Sequence, residues 1–165
     1  MIITTEKPQH LYRKGVGIML LNKENKILVC KREGTRGNMW QMPQGGLLDN
    51  FEEEEKAALR ELKEETGIHQ IEIITQSIEH YYYNWPYHLQ KKFWNSKYLG
   101  QKQRWFLMRF NGLDHHIDLH TTSHPEFTAY QWTDFDSILK SVVYFKEEMY
   151  KGIVNEFKEF LKNND

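Results

Sequence analysis

Residues 46–68 constrain this chain more than any other stretch of it. They read G-x5-E-x7-R-E-L-x-E-E-x-G-I, fixing Gly46, Glu52, Arg60, Glu61, Leu62, Glu64, Glu65, Gly67 and Ile68. Residues 53–66 hold no Gly or Pro and are rich in good helix formers, which predicts a helix there. Asp49 or Asn50 can cap its start and Gly67 can end it. Glu52, Glu53, Glu54 and Glu55 fall where the helix dipole favours negative charge. On such a helix Glu61, Glu64 and Glu65 stand at i, i+3 and i+4, so their carboxylates share one face. Leu62, with Ala58 one turn before it, points elsewhere and suits a core contact. Three carboxylates on one face repel one another unless something positive sits among them. A hard divalent cation with oxygen ligands is the natural partner, and Mg2+ takes one or two carboxylates together with substrate phosphates. The bland alternative is a solvated acidic helix face, which is what most charge runs are.

A chain of 165 residues is expected to form one domain over residues 1–165. Its net charge of -1 gives no global attraction to nucleic acid, so any such affinity must come from local patches. The lone cysteine, Cys30, excludes an internal disulfide framework, and its place in the apolar run 27–30 reads as a buried thiol. No N-terminal apolar stretch reads as a signal peptide and no run approaches membrane-span length, so the expected setting is cytoplasmic, without membrane association.

Residues 16–21 read as a buried strand, 22–25 as a polar turn and 26–31 as a second strand of a hairpin. Residues 34–38, with Arg36, read as a loop. Residues 71–78, 103–110 and 127–132 read as further strands. Residues 146–162 form an amphipathic helix whose Tyr150, Ile153, Val154, Phe157, Phe160 and Leu161 follow helical spacing and read as core packing. Strands separated by a few helices indicate an α/β chain with a mixed β-sheet sandwiched between α-helices.

The 46–68 stretch resembles the Nudix box, the signature of enzymes that split pyrophosphate linkages in nucleoside diphosphates joined to another group. The resemblance implies the Nudix fold and a metal site, and it favours that site over the solvated face. There is one departure. Family members commonly carry a glycine just before the first box glutamate, where this chain has Phe51, and residues 46–51 are about one residue longer than usual. That leaves open whether Glu52 or Glu53 takes the first role. Five further segments resemble one bacterial subgroup, the RNA 5'-pyrophosphohydrolases, also described as dinucleoside polyphosphate hydrolases. These are Tyr12-Arg13-x-x-Val16-Gly17-Ile18, Trp40-Gln41-x-Pro43-Gln44-Gly45-Gly46, Gly100-Gln101-Lys102-Gln103-x-Trp105-Phe106-Leu107, Pro125-Glu126-Phe127 and Val142-Val143-x-Phe145-Lys146.

The resemblance implies a metal set of Gly45, Glu61, Glu64, Glu65 and Glu126, holding Mg2+ with Mn2+ as an alternative. It implies Glu126 or Glu64 as the base, with Arg60 orienting a box carboxylate. Arg13 is placed to hold phosphate bidentately, which Arg does better than Lys. The resemblance gathers Arg32, Val143, Phe145 and Lys146 around a bound base, where an aromatic face stacks and an ammonium reads phosphate or a base edge. Phe145 as plain core remains the competing reading. Gln101, Lys102, Gln103 and Arg104 could contact phosphates or bridge the sheet to the box helix.

Tyr81, Tyr82, Tyr83, Trp85 and Tyr87, followed by Lys91, Lys92, Phe93, Trp94 and Lys97, read either as a single-strand nucleic-acid surface or as an insertion packed on the sheet. His115, His116, His120 and His124 read as polar loop residues rather than a zinc site. The expected activity is removal of pyrophosphate from 5'-triphosphorylated RNA. The alternatives are hydrolysis of dinucleoside polyphosphates and, from another class, a non-catalytic nucleotide- or RNA-binding module. The last is disfavoured by a box that keeps every carboxylate. No protein partner is read from the sequence.

Overall fold

Alternate residues of the first strand face opposite ways, and both sets are apolar. β1 (Tyr12–Leu21) sends Val16, Ile18 and Leu20 into one core and Met19 and Leu21 into another. A strand apolar on both faces must be covered on both sides. In the computed structural model, which describes residues 8–32, 39–92 and 97–164, it is. Arg36, Phe93 and Trp94 lie outside the described residues, as do the side chains of Lys91 and Lys92.

α1 (Glu54–Thr66) lays Ala57, Ala58 and Leu62 on the core of Val16, Ile18 and Leu20. The opposite core is closed by Met149, Tyr150, Ile153, Val154 and Phe157 of a long C-terminal helix, Glu147–Asn163. Phe160 and Leu161 of that helix are partly buried against the same cluster. The expected sandwich is therefore present.

Among the described residues the sheet has seven strands. β2 (Ile27–Arg32) pairs with β1 antiparallel, and β3 (Gln44–Gly46) also runs antiparallel to β1. β4 (Ile71–Gln76) and β5 (Tyr81–Asn84) both pair antiparallel with β6 (Gly100–Phe110). β6 in turn lies parallel to β1, from Tyr12 opposite Gly100 to Leu21 opposite Arg109. β7 (Phe127–Thr133) completes the sheet beside β2. α2 (Tyr87–Lys92) follows β5, and the C-terminal helix is α3.

Three expectations needed adjustment. β1 and β6 begin earlier than residues 16 and 103, because Tyr12, Arg13 and Lys14 pair with the polar start of β6, which hydrophobic pattern alone does not mark. The N-cap of α1 is Glu53, with no side-chain cap, and not Asp49 or Asn50. Asp49 instead accepts hydrogen bonds from the backbone N–H groups of Phe51 and Glu52, at 2.7 and 2.9 Å, closing a turn ahead of the helix. Gly67 does end α1, at φ 71°, with its N–H donating to the Lys63 carbonyl. Thirdly, residues 81–92 are regular, forming β5 and α2.

Segment 39–46 is fastened across the sheet. Cys30 and Gln41 exchange backbone hydrogen bonds, the Ile18 N–H donates to the Pro43 carbonyl, and the Met42 N–H donates to the Tyr150 hydroxyl. These bonds hold β3 against β1 and the flank of α1. Cys30 is buried, and burial pushes its thiol well above the ordinary range.

Candidate active site

A cavity of about 630 Å³ opens where β3, α1, β5 and the start of α3 meet. Its size is that of a small-ligand site. Arg13, Arg32, Gly45, Glu61, Glu65, Glu126, Val143, Phe145 and Lys146 all border it. Residues from six separate stretches of chain thus converge on one volume, as their resemblance-based roles require. Glu64 and Arg60 do not line it.

Arg60 occupies itself with the carboxylates. Its guanidinium grips Glu52 in a bidentate pair, with both contacts at 2.9 Å. It also donates to Glu61 at 2.9 Å, to Glu64 at 3.2 Å and to the Gly46 carbonyl at 2.9 Å. One planar fork therefore ties the 46–52 loop to the acidic face of α1. The grip on Glu52 lowers that carboxyl below its ordinary range. The structure pairs Arg60 with Glu52 and gives Glu53 the helix cap, which separates the two residues the sequence left open.

β3 can approach α1 this closely only because Gly45 stands in it. A Cβ on Gly45 would overlap the Glu61 carboxyl, and one on Gly46 would overlap the Arg13 guanidinium. The backbone of Gly45 and the Glu61 carboxyl are thus brought together on the cavity wall.

The deepest carboxylate is Glu65, 7% exposed. Among the described residues its Oε2 has no hydrogen-bond partner. Burial pushes its carboxyl well above the ordinary range; the charges of Glu126 and Glu61 push the same way and Arg32 opposes them. Glu61 is raised by burial as well, against the pull of Arg60. An unpaired buried carboxylate oxygen is costly unless something positive meets it. Together with Glu61, Glu126 and the Gly45 backbone, this donor set is all oxygen and fits a hard divalent cation. Among the described residues no three acidic, His or Cys side chains are already closed into a cage.

The other end of the cavity is aromatic and cationic. Lys146 is 4% exposed, with its Nζ 4.9 Å from the centroid of the Tyr83 ring. Burial, helped by the Arg32 charge, lowers its ammonium to about 7. Phe145 sits 6.1 Å from Tyr83, tilted by 35°, so it belongs both to the aromatic cluster and to the cavity wall. Arg32 ends β2 opposite Phe127, which brings it beside Glu126 at the start of β7.

Trp40, Gln44, Tyr83, Trp85 and Gln101 also line the cavity, though none of them was among the expected site residues. Tyr83 and Trp85, read either as part of a nucleic-acid surface or as rings packed on the sheet, are buried. The signal that could have found them is the Tyr-x-Trp alternation, which turns both rings to one side of an extended segment. Gln103 donates to Gln44 at 2.9 Å and to Gln101 at 2.8 Å, and accepts from the Trp105 indole. This ladder joins β6 to β3. Arg104 is the residue that bridges to the box helix, reaching Glu54 at 3.4 Å. The four loop histidines stay away from the cavity lining, and the His116 Nδ1 accepts the Leu113 N–H.

A mixed sheet between two helices, with an acidic helix face against a glycine strand, is the arrangement of a Nudix enzyme. The NUDIX domain model matches residues 11–153, and the chain belongs to that family. Within it, the chain is 50% identical over 148 residues to an RNA pyrophosphohydrolase of Sphingopyxis alaskensis, covering 88% of this chain and 92% of the relative. It is 48% identical over 151 residues to an RNA pyrophosphohydrolase of a Wolbachia of Drosophila simulans, covering 92% of each. Among solved structures, an Ap4A hydrolase of C. elegans in a binary complex superposes with a TM-score of 0.68 at 22% identity, over 92% of this chain and 98% of that one. The E. coli dihydroneopterin triphosphate pyrophosphohydrolase gives 0.61 at 18% identity, over 88% and 99%. These two likenesses establish the fold. No helix among the described residues is long and apolar enough to cross a membrane.

Proposed function

We propose that this enzyme removes pyrophosphate from the 5'-triphosphate end of RNA, leaving a 5'-monophosphate, with Mg2+ as its cofactor. The observation that carries the reading is one cavity with a carboxylate end and an aromatic-ammonium end. A triphosphate needs the first and the base of an attached nucleotide needs the second. The relatives named RNA pyrophosphohydrolase, at 44–50% identity over most of the chain, support the same substrate.

Glu61, Glu65, Glu126 and the Gly45 carbonyl would hold Mg2+, with Glu64 completing the set from the rim. When bound, the cation neutralises phosphate charge and makes a water acidic enough to act near neutral pH. Arg13 holds phosphate oxygens bidentately from the mouth of β1. Arg60 keeps Glu52, Glu61 and Glu64 oriented and does not reach the cavity itself, so it acts as a positioning residue. Glu126 takes the proton of the attacking water; it borders the cavity, whereas Glu64 does not. Phe145 and Tyr83 supply ring faces for a base, and Lys146 with Arg32 supplies charge at its edge. No side-chain nucleophile is involved, and a cytoplasmic setting goes with this substrate.

The test is turnover with Mg2+ on a 5'-triphosphorylated short RNA beside diadenosine pentaphosphate. The reading expects a much higher kcat/KM on the RNA. The reverse order would make the enzyme a dinucleoside polyphosphate hydrolase.

A further inference from the structure

The geometry points to a second binding surface, a basic pocket next to the catalytic cavity that holds the backbone of single-stranded RNA beyond its first nucleotides. This inference rests on the RNA reading above. The pocket, of about 380 Å³, is lined by His10, Tyr12, Arg13, Lys14, Lys97 and Tyr98 on one side and by the 47–50 loop on the other.

Three features argue for a nucleic-acid strand. The first is continuity: Arg13 lines both this pocket and the catalytic cavity. A polyanion whose 5' end sits in the cavity passes directly from one to the other. The second is charge. The whole chain carries -1, yet among the described residues three full cations, Arg13, Lys14 and Lys97, line this pocket with one carboxylate, Asp49. Asp49 is committed to the backbone N–H groups of Phe51 and Glu52. Lys14 and Lys97 are exposed, and among the described residues neither makes an ion pair within the protein. The third is stacking surface. Tyr98 faces the pocket, and the ring of Phe51, 93% exposed, stands on the turn that continues the 47–50 loop. An exposed phenyl next in the chain to a loop that lines a basic pocket suits bases whose sequence is not read. A dinucleoside polyphosphate ends within the first cavity. Only a longer RNA carries a phosphate per nucleotide to spend on the second.

The test compares wild type, the double variant Lys14→Glu with Lys97→Glu, and Phe51→Ala. Each is assayed on a triphosphorylated dinucleotide and on a longer triphosphorylated single strand, across a salt series. Binding of a longer 5'-monophosphorylated RNA is measured alongside. The double variant is expected to lose about tenfold in kcat/KM on the longer RNA, mostly through KM, and to flatten the salt dependence by roughly 0.7 in log–log slope per lost phosphate contact. Phe51→Ala is expected to lose about fivefold on the longer RNA. Dinucleotide turnover should stay at the wild-type level in both, which also reports that the fold is intact. Equal losses on short and long substrates, or none on either, would overturn the proposal. So would a loss from Phe51→Ala alone, which would mark an apolar protein contact instead. If wild type turns over no RNA yet binds the longer strand in a lysine-dependent way, the surface stands and the substrate reading falls.

Discussion

Glu65 is held in a position its charge makes expensive. Its carboxyl is raised well above 4.5, so the folded protein keeps that proton where the unfolded chain has released it. The fold then binds more protons than the unfolded state, and stability falls as pH rises from the unfolded carboxylate value through the folded one. Glu61 acts in the same direction. In chelator, the melting temperature should therefore decline with pH above about 4.5, and Glu65→Gln should flatten that decline and raise the melting temperature at pH 7. Thermal melts across pH would show it; a Glu65→Gln curve parallel to wild type would count against this account. The same substitution should remove most metal-dependent activity.

Lys146 has the opposite sign. Its ammonium is lowered to about 7, so the folded state sheds a proton that the unfolded chain keeps up to the ordinary lysine value. The cost of burying the charge is fully present below pH 7 and is relieved as pH rises above it. Lys146→Met should stabilise the protein most at pH 6 while raising KM for RNA by about tenfold, one hydrogen-bonded charge being worth about that much. Arg60→Lys is a third test at this scale. Lysine cannot reproduce the bidentate grip on Glu52 or reach Glu61, Glu64 and the Gly46 carbonyl together. It should lower kcat by about a hundredfold and change KM little, as misplaced groups do. The box positions were legible because helix periodicity alone sets Glu61, Glu64 and Glu65 on one face. That Glu64 stands on the rim was not legible, because a spacing gives a face and not its depth.

Two elements decide how the site is shaped. β3 is three residues long and places Gly45 against Glu61. Gly45→Ala should leave the fold largely intact, since the clash is with one side chain end. It should cost about a hundredfold in kcat/KM by displacing Glu61; activity within a few fold of wild type would show that the carboxyl has room to move. β5 was the element hardest to read. Its three consecutive tyrosines fit either an exposed surface or packed rings in sequence; pairing with β6 and cover from α3 turn Tyr83 inward and let Tyr81 donate to Glu156 at 2.7 Å. Tertiary cover decides such segments, and no local pattern records it. The 16–21 part of β1, by contrast, was plain, since apolar residues on both faces leave a strand nowhere else to go.

At the scale of the whole molecule, metal and fold are linked. A cation that binds the folded carboxylates and not the unfolded chain stabilises by mass action, about 2.7 kcal/mol at a hundredfold excess over its Kd. Because Glu61 and Glu65 must lose protons to bind it, the rise in melting temperature on adding Mg2+ should be larger at pH 8 than at pH 6. The layered architecture was readable from the alternation of strands and helices. The convergence of Arg13, Arg32, Glu126 and Lys146 was legible only through the family resemblance and not from the residues themselves, because it depends on strand order. That order also sets a schedule. β1 is made well before β6, to which it lies parallel and which begins only at Gly100. On the ribosome, Arg13 at the mouth of β1 must wait, without its parallel neighbour, until residues 100–110 have been synthesised and have cleared the exit tunnel. Nascent protein can therefore hold the acidic helix early, but the wall that carries Arg13 is not in place until β6 has been made.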